Sequence, residues 1–288
     1  MKNKAPLFLL FITTAYVVYS FFRGYTDYNL SSVLTPLILL PFALVHGGIY
    51  CGTKKIIYFF ILVFVVSVFY EGVSVSTGFP FGNYYYSERL GVKLFDVPLA
   101  IMPTYFSLGY VSWFISNVLS QQVFKEIESK FKVFIISIVA SFIMTSWDLI
   151  MDPVNSLVKS LWSWTDNGVY FGVPLTNFSG WILCVFTFYL PFTFWCYKDK
   201  VHLKTKPSYG YLYLPSIIYI TIMAKYILCF FFKEDVIVTL QSGRMFSTNE
   251  IYGTVVLIGF FTMLPIGVHS LYKIYTYSCP NELMIKKT

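Results

Sequence analysis

Apolar residues run through this chain in long blocks, separated by short stretches that hold most of the lysine and arginine. Eight blocks approach the roughly 20 residues that a helix needs to cross a bilayer core. They span about 5–22, 33–50, 56–71, 97–119, 132–151, 178–197, 211–232 and 251–272. This pattern predicts an all-α fold, a polytopic membrane helix bundle of about eight transmembrane helices, as a single integral-membrane domain over 1–288. The first block follows Lys2 and Lys4, as a signal peptide would. Its apolar run exceeds the usual ~7 to 15 residues and no small-x-small cleavage site follows, so it reads as a retained helix.

Eight crossings put both termini on one side. Of the 21 Lys and Arg residues, fourteen fall on that side, six fall on the opposite side, and Lys225 lies within the seventh block. The excess of basic residues marks the cytoplasmic face. Both termini are therefore expected in the cytoplasm, with the segments 72–96 and 152–177 together on the outer side of what reads as a prokaryotic cell membrane.

Composition agrees with the pattern. Charged residues make up 12% of the chain, against about 25% in soluble proteins, and the mean hydropathy is +0.65. That leaves too little charge to cover a soluble surface, so two soluble domains are excluded. The net charge of +7 reflects loop topology and gives no basic patch for nucleic acid. Cysteines 51, 184, 196, 229 and 279 and histidines 46, 202 and 269 are scattered, with no zinc, haem or iron–sulfur spacing.

Aromatic residues add a different signal. They form 21% of the chain, more than lipid contact requires, and many sit in the two outer segments. Those segments are rich in Gly, Pro, Tyr and Trp, which argues for ordered aromatic loops folded onto the helix ends. Each closes on Val-Pro-Leu, at 97–99 and 173–175. Glu71 precedes the first triplet by 26 residues and Asp148 precedes the second by 25, so the two halves read as a degenerate tandem repeat about an axis along the membrane normal.

Three acids fall inside or at the ends of apolar helices: Glu71, Asp148 and Asp152. Intramembrane carboxyls are costly and mark function by default. Asp148 and Asp152 are four residues apart, on one helix face with Cβ atoms ~5 to 6 Å apart. Pro153 disfavours helix at Asp152 and places the pair in a last turn. The helix dipole, the like charge and desolvation there all oppose ionisation, so one member is expected to stay protonated and able to act as an acid. The structural alternative is a buried pair that caps loop amides or balances Lys225.

The rings Phe81, Tyr84, Tyr86, Trp162, Trp164, Tyr170, Phe171 and Trp181 lie among turn-forming Gly and Pro, which fix ring positions. An interfacial belt explains one or two rings per loop. A cavity lined with rings can hold a polyene, and ring faces stabilise a carbocation by up to ~2 kcal/mol each when desolvated.

The ordered set His46, Glu71-Gly72, Thr77-Gly78-Phe79-Pro80-Phe81-Gly82, Tyr84, Tyr86, Val97-Pro98-Leu99, Trp147-Asp148, Asp152-Pro153, Trp162, Trp164, Tyr170, Phe171-Gly172-Val173-Pro174-Leu175, Asn177-Phe178 and Gly180-Trp181 resembles the integral-membrane carotenoid biosynthesis proteins of the carotenoid 1',2'-hydratase type. The resemblance covers about 46–181. One departure falls after the first Val-Pro-Leu, where Met102-Pro103-Thr104-Tyr105-Phe106 stands where a Trp is expected. The resemblance implies hydration of a terminal carotenoid double bond without redox centre, metal or nucleotide. Asp148, Asp152 and Glu71 would be catalytic. The eight rings named above, with Asn177 and His46, would bind a carotenoid or other long isoprenoid drawn from the bilayer.

Three other readings share these features. A carotenoid or terpene cyclase begins with the same protonation. A retinal-binding photoreceptor would use Lys225. A transporter would carry polar groups across the membrane, whereas here they gather at one edge.

Overall fold

The computed structural model describes residues 4–26, 34–120, 129–198 and 209–278. Cys279, His202 and the lysines of segments 121–128, 199–208 and 279–288 lie outside the described residues. The expected helix bundle is present, and each of the eight apolar blocks forms a helix. They are α1 (Ala5–Tyr25), α2 (Leu34–Tyr50), α3 (Thr53–Thr77), α4 (Met102–Ser120), α5 (Ser129–Pro153), α6 (Leu175–Lys198), α7 (Leu214–Phe232), and α8 (Thr248–Phe261) with α9 (Met263–Ser278). Thr262 interrupts the last pair, which together make one crossing over Thr248–Thr276.

Six helices are long and apolar enough to cross a membrane, and α2 is apolar but shorter. The chain is an integral membrane protein. The fourth helix departs from this composition because it is enclosed by protein: all but three of its 19 residues are buried. Burial by protein lets it carry Ser107, Ser112, Ser116, Asn117 and Ser120, whose hydroxyls and amide can bond within the bundle. The Ser116 hydroxyl donates to the Ile136 carbonyl (2.7 Å) and the Asn117 amide to the Trp113 carbonyl (2.8 Å).

The segments 72–96 and 152–177 lie at the same end of the bundle and are zipped together. Strand β1 (Tyr84–Tyr86) pairs antiparallel with β4 (Trp162–Trp164), matching Tyr84 with Trp164 and Tyr86 with Trp162. Within the first loop, β2 (Lys93–Leu94) pairs with β3 (Val97–Pro98). Side chains alternate across a strand, so Tyr84, Tyr86, Trp162 and Trp164 share one face and turn into the bundle. Tyr85 points outward, 51% exposed. Asp166 ties the loops by accepting from the Asn83 backbone N–H (2.6 Å) and side-chain amide (2.8 Å).

Glycine allows the close approach. A Cβ on Gly180 of α6 would meet the Pro80 carbonyl oxygen at 2.8 Å, so the first loop rests on bare helix backbone. A third connection, the hairpin of β5 (Ile237–Thr239) and β6 (Met245–Ser247), joins the same end. Arg244 donates to the Gly168 carbonyl (2.7 Å), and Gln241 donates to the Tyr85 hydroxyl (2.8 Å).

Asp152 lies in the last α turn, as the spacing predicts, but the helical path does not stop there: it runs through Pro153 and continues as a π turn over Val154–Val158. Proline lacks the N–H that would bond the carbonyl four residues back, and a tyrosine hydroxyl compensates. Tyr170 donates to the Leu149 carbonyl (2.9 Å), the acceptor that Pro153 leaves free. Ser156 donates to the Asp152 carbonyl (2.8 Å). The wide turn closes with Lys159 N–H on the Val154 carbonyl (3.0 Å), and such π insertions concentrate at functional sites.

Candidate active site

The three acids line one cavity of about 160 Å³ beneath the paired loops. Helix α3 brings Glu71, and α5 brings Asp148 and Asp152, all at least nine-tenths buried. The i, i+4 spacing does put the two aspartates on one face, and Asn177 at the start of α6 meets both. Its amide nitrogen is 2.9 Å from Asp148 Oδ2 and 2.8 Å from Asp152 Oδ2. The two carboxyl groups are therefore separated by no more than those two bonds end to end.

Their remaining partners differ. Asp152 Oδ1 accepts from the indole N–H of both Trp162 and Trp164, each at 2.9 Å. With Asn177 that makes three N–H donors on Asp152. Asp148 accepts from the Asn177 amide alone among the described residues.

Glu71 sits in a cage of phenols. Tyr84 and Tyr86 donate from β1, the latter at 2.8 Å, and Tyr105 donates from α4. Burial, and then the Glu71 charge, hold the Tyr84 and Tyr86 hydroxyls well above the usual phenol range, so they stay donors. Three hydroxyls aimed at its two oxygens make Glu71 an acceptor.

Rings enclose the space between. Trp181 stacks on Tyr105 with centroids 4.7 Å apart and planes 6° apart, and Trp147 meets Trp181 edge-on at 5.8 Å. Tyr84 packs on Trp164 at 4.8 Å. Phe81, Tyr84, Tyr86, Trp162, Trp164, Asn177 and Trp181 of the expected binding set all line the cavity.

Three residues of that set are elsewhere. His46 is fully buried between α2 and α4, bonded to the Tyr110 hydroxyl (2.6 Å) and the Tyr211 carbonyl (3.2 Å). Phe171 packs edge-on against Phe246 of β6. Tyr170 serves the Leu149 carbonyl, so Tyr170→Phe should leave that acceptor bare. We expect a loss of about 1 to 3 kcal/mol of stability with an unchanged product, read by thermal denaturation in detergent beside pigment analysis.

Sequence reasoning missed Tyr105, Trp147, Asn155, Arg23, Lys159 and Lys225 as cavity residues. Tyr105 carried a signal, because it lies in the stretch that departs from the family pattern, and that departure falls on a direct ligand of Glu71. Along the sequence, Arg23 and Lys159 bear on topology alone.

The sequence model of one protein family, described as carotenoid biosynthesis protein, matches residues 28–246. The match is wider than the expected 46–181 core and reaches through α7 into β6. No curated protein and no solved structure matches the chain.

Proposed function

Because this chain belongs to the carotenoid biosynthesis protein family, an enzyme family of that pathway, we propose that it adds water across the terminal 1',2' double bond of a carotenoid ψ-end, giving a tertiary alcohol. The observation that carries this reading is the unequal solvation of Asp148 and Asp152 within one ring-lined cavity.

In the proposed step, Asp148 holds the proton. Asp152, with three N–H donors, is the better solvated anion, and two charges facing one amide would repel. Asp148 gives its proton to C2', leaving a tertiary cation at C1'. The faces of Trp162, Trp164 and Trp181 and the negative charges of Asp152 and Glu71 stabilise that cation. Water attacks C1', and its surplus proton passes to Asp152 or Glu71 and returns to Asp148. The balance is one alkene plus one water giving one alcohol, with no change of oxidation state overall and no cofactor.

A cyclase would share the first step and quench the cation with an internal double bond. The polar residue Asn155 on the cavity wall favours hydration, since it offers a water a hydrogen-bond partner near the acids. The test is pigment analysis of a lycopene-producing host expressing the chain. A product heavier by the mass of one water per reacted end supports hydration, and an isomer of unchanged mass establishes cyclisation instead. The same reading keeps the loops on the outer face and both termini in the cytoplasm of the cell membrane.

A further inference from the structure

The cavity has a second chemistry that hydration of a hydrocarbon does not use. Arg23 of α1, Lys159 at the end of the π turn and Lys225 of α7 all line it. Lys159 is seven residues beyond Asp152, where the π turn ends. Close packing of α1 on α7 brings the other two together, because a Cβ on Gly24 would meet the Lys225 carbonyl oxygen at 2.9 Å and Leu228 Cβ at 2.7 Å.

None of the three has a carboxylate partner among the described residues. Arg23 donates to the hydroxyls of Tyr19 (3.3 Å) and Thr35 (3.4 Å). Lys159 donates to Asn155 Oδ1 (2.8 Å), and the Lys225 ammonium sits 4.0 Å from the Tyr226 ring centroid. Partial burial, then the charges of Lys225 and Arg23, hold the Lys159 ammonium well below the usual lysine range. Three basic groups that disfavour one another's charge in a half-buried site would all be held protonated by an anion placed between them. The hydrogen bonds of Glu71, Asp148 and Asp152 in the same cavity come from phenol, indole and amide donors, and none comes from these basic groups.

We propose that Arg23, Lys159 and Lys225 bind the phosphate or diphosphate group of an amphiphile whose apolar chain enters the ring-lined cavity. A phosphate ester offers several acceptor oxygens and up to two charges, enough for an Arg fork and two ammonium groups at once. A carboxylate would satisfy the Arg and leave the lysines unmatched. The rings beside the cations supply the apolar half of the site. This assignment is independent of the hydration reading, since it concerns binding alone.

Two sources present this chemistry, a soluble prenyl diphosphate and a phospholipid headgroup. The test uses the purified full-length protein in nanodiscs and follows quenching of its tryptophan fluorescence. Farnesyl diphosphate is titrated in phosphatidylcholine discs, with farnesol as the uncharged control, and the titration is repeated in discs containing phosphatidylglycerol. Farnesyl diphosphate should bind at least tenfold more tightly than farnesol. Arg23→Gln with Lys225→Gln should weaken it at least tenfold, and Lys225→Arg should retain it, which separates lost charge from lost folding. Competition by phosphatidylglycerol assigns the site to a lipid headgroup, and its absence assigns it to the prenyl diphosphate. Equal affinity for farnesol, or farnesyl diphosphate and phosphatidylglycerol binding that both survive the double substitution, would overturn the proposal.

Discussion

Membranes carrying Asp148→Asn should convert a ψ-end carotenoid about 10²- to 10⁴-fold more slowly than wild type, the range that a positioned general acid contributes. The side chain keeps its shape, and Asn177 can still donate to the new carboxamide oxygen, so the bundle should assemble at normal yield. Only the transferable proton is gone. Asp152→Asn is a different change, because it places an amide where two indole N–H groups need an acceptor. It should lower both activity and thermal stability. Initial rates of product formation, normalised to folded protein by size-exclusion chromatography, separate the two. Full activity in both variants would remove the aspartate pair from the chemistry.

Glu71 yields the second large effect, and two substitutions divide its roles. Glu71→Leu would strand the hydroxyls of Tyr84, Tyr86 and Tyr105, which are all directed at one carboxylate. A stranded buried donor costs about 1 to 3 kcal/mol, so three on one site should prevent stable folding. Glu71→Gln keeps an acceptor oxygen for part of the cage but removes the negative charge beside the cation. It should fold with a modest loss of stability and lose at least ~10²-fold in rate, the scale associated with removing one preorganised electrostatic group. Thermal melting and product formation read the two outcomes. A Glu71→Gln enzyme of wild-type rate would reduce Glu71 to a structural anchor for the loops.

The departure at Met102–Phe106 bears on the same cage. Tyr105 both donates to Glu71 and stacks flat on Trp181, so one side chain joins an acid to a ring wall. A tryptophan there could stack as well, but its indole N–H would meet the carboxylate with different reach. Differences in substrate among family members are therefore expected to track this position.

Much of this was legible along the chain. Apolar blocks of near-bilayer length specify helices because an unpaired backbone amide in lipid is too costly, and all eight blocks became helices. The positions of Glu71, Asp148 and Asp152 were legible for a related reason, since a carboxyl in an apolar block is retained only at a cost. The four-residue spacing alone put both aspartates on one helical face. Alternation in Tyr84-Tyr85-Tyr86 and Trp162-Ser163-Trp164 was present as well, but its meaning depended on pairing between segments almost 80 residues apart.

What the sequence could not carry was which groups meet. No local rule states that Trp162 and Trp164 would both turn onto Asp152 and leave Asp148 with one donor, and that difference distinguishes acid from anion in the proposed step. Nor does any spacing show that His46 belongs to the core, that Tyr170 mends the backbone at Pro153, or that Arg23, Lys159 and Lys225 converge. Helix existence follows from the solvent each residue prefers, which is a property of the chain. Partner choice among buried polar groups follows from distances of about 3 Å across packed elements, and only the folded bundle sets those.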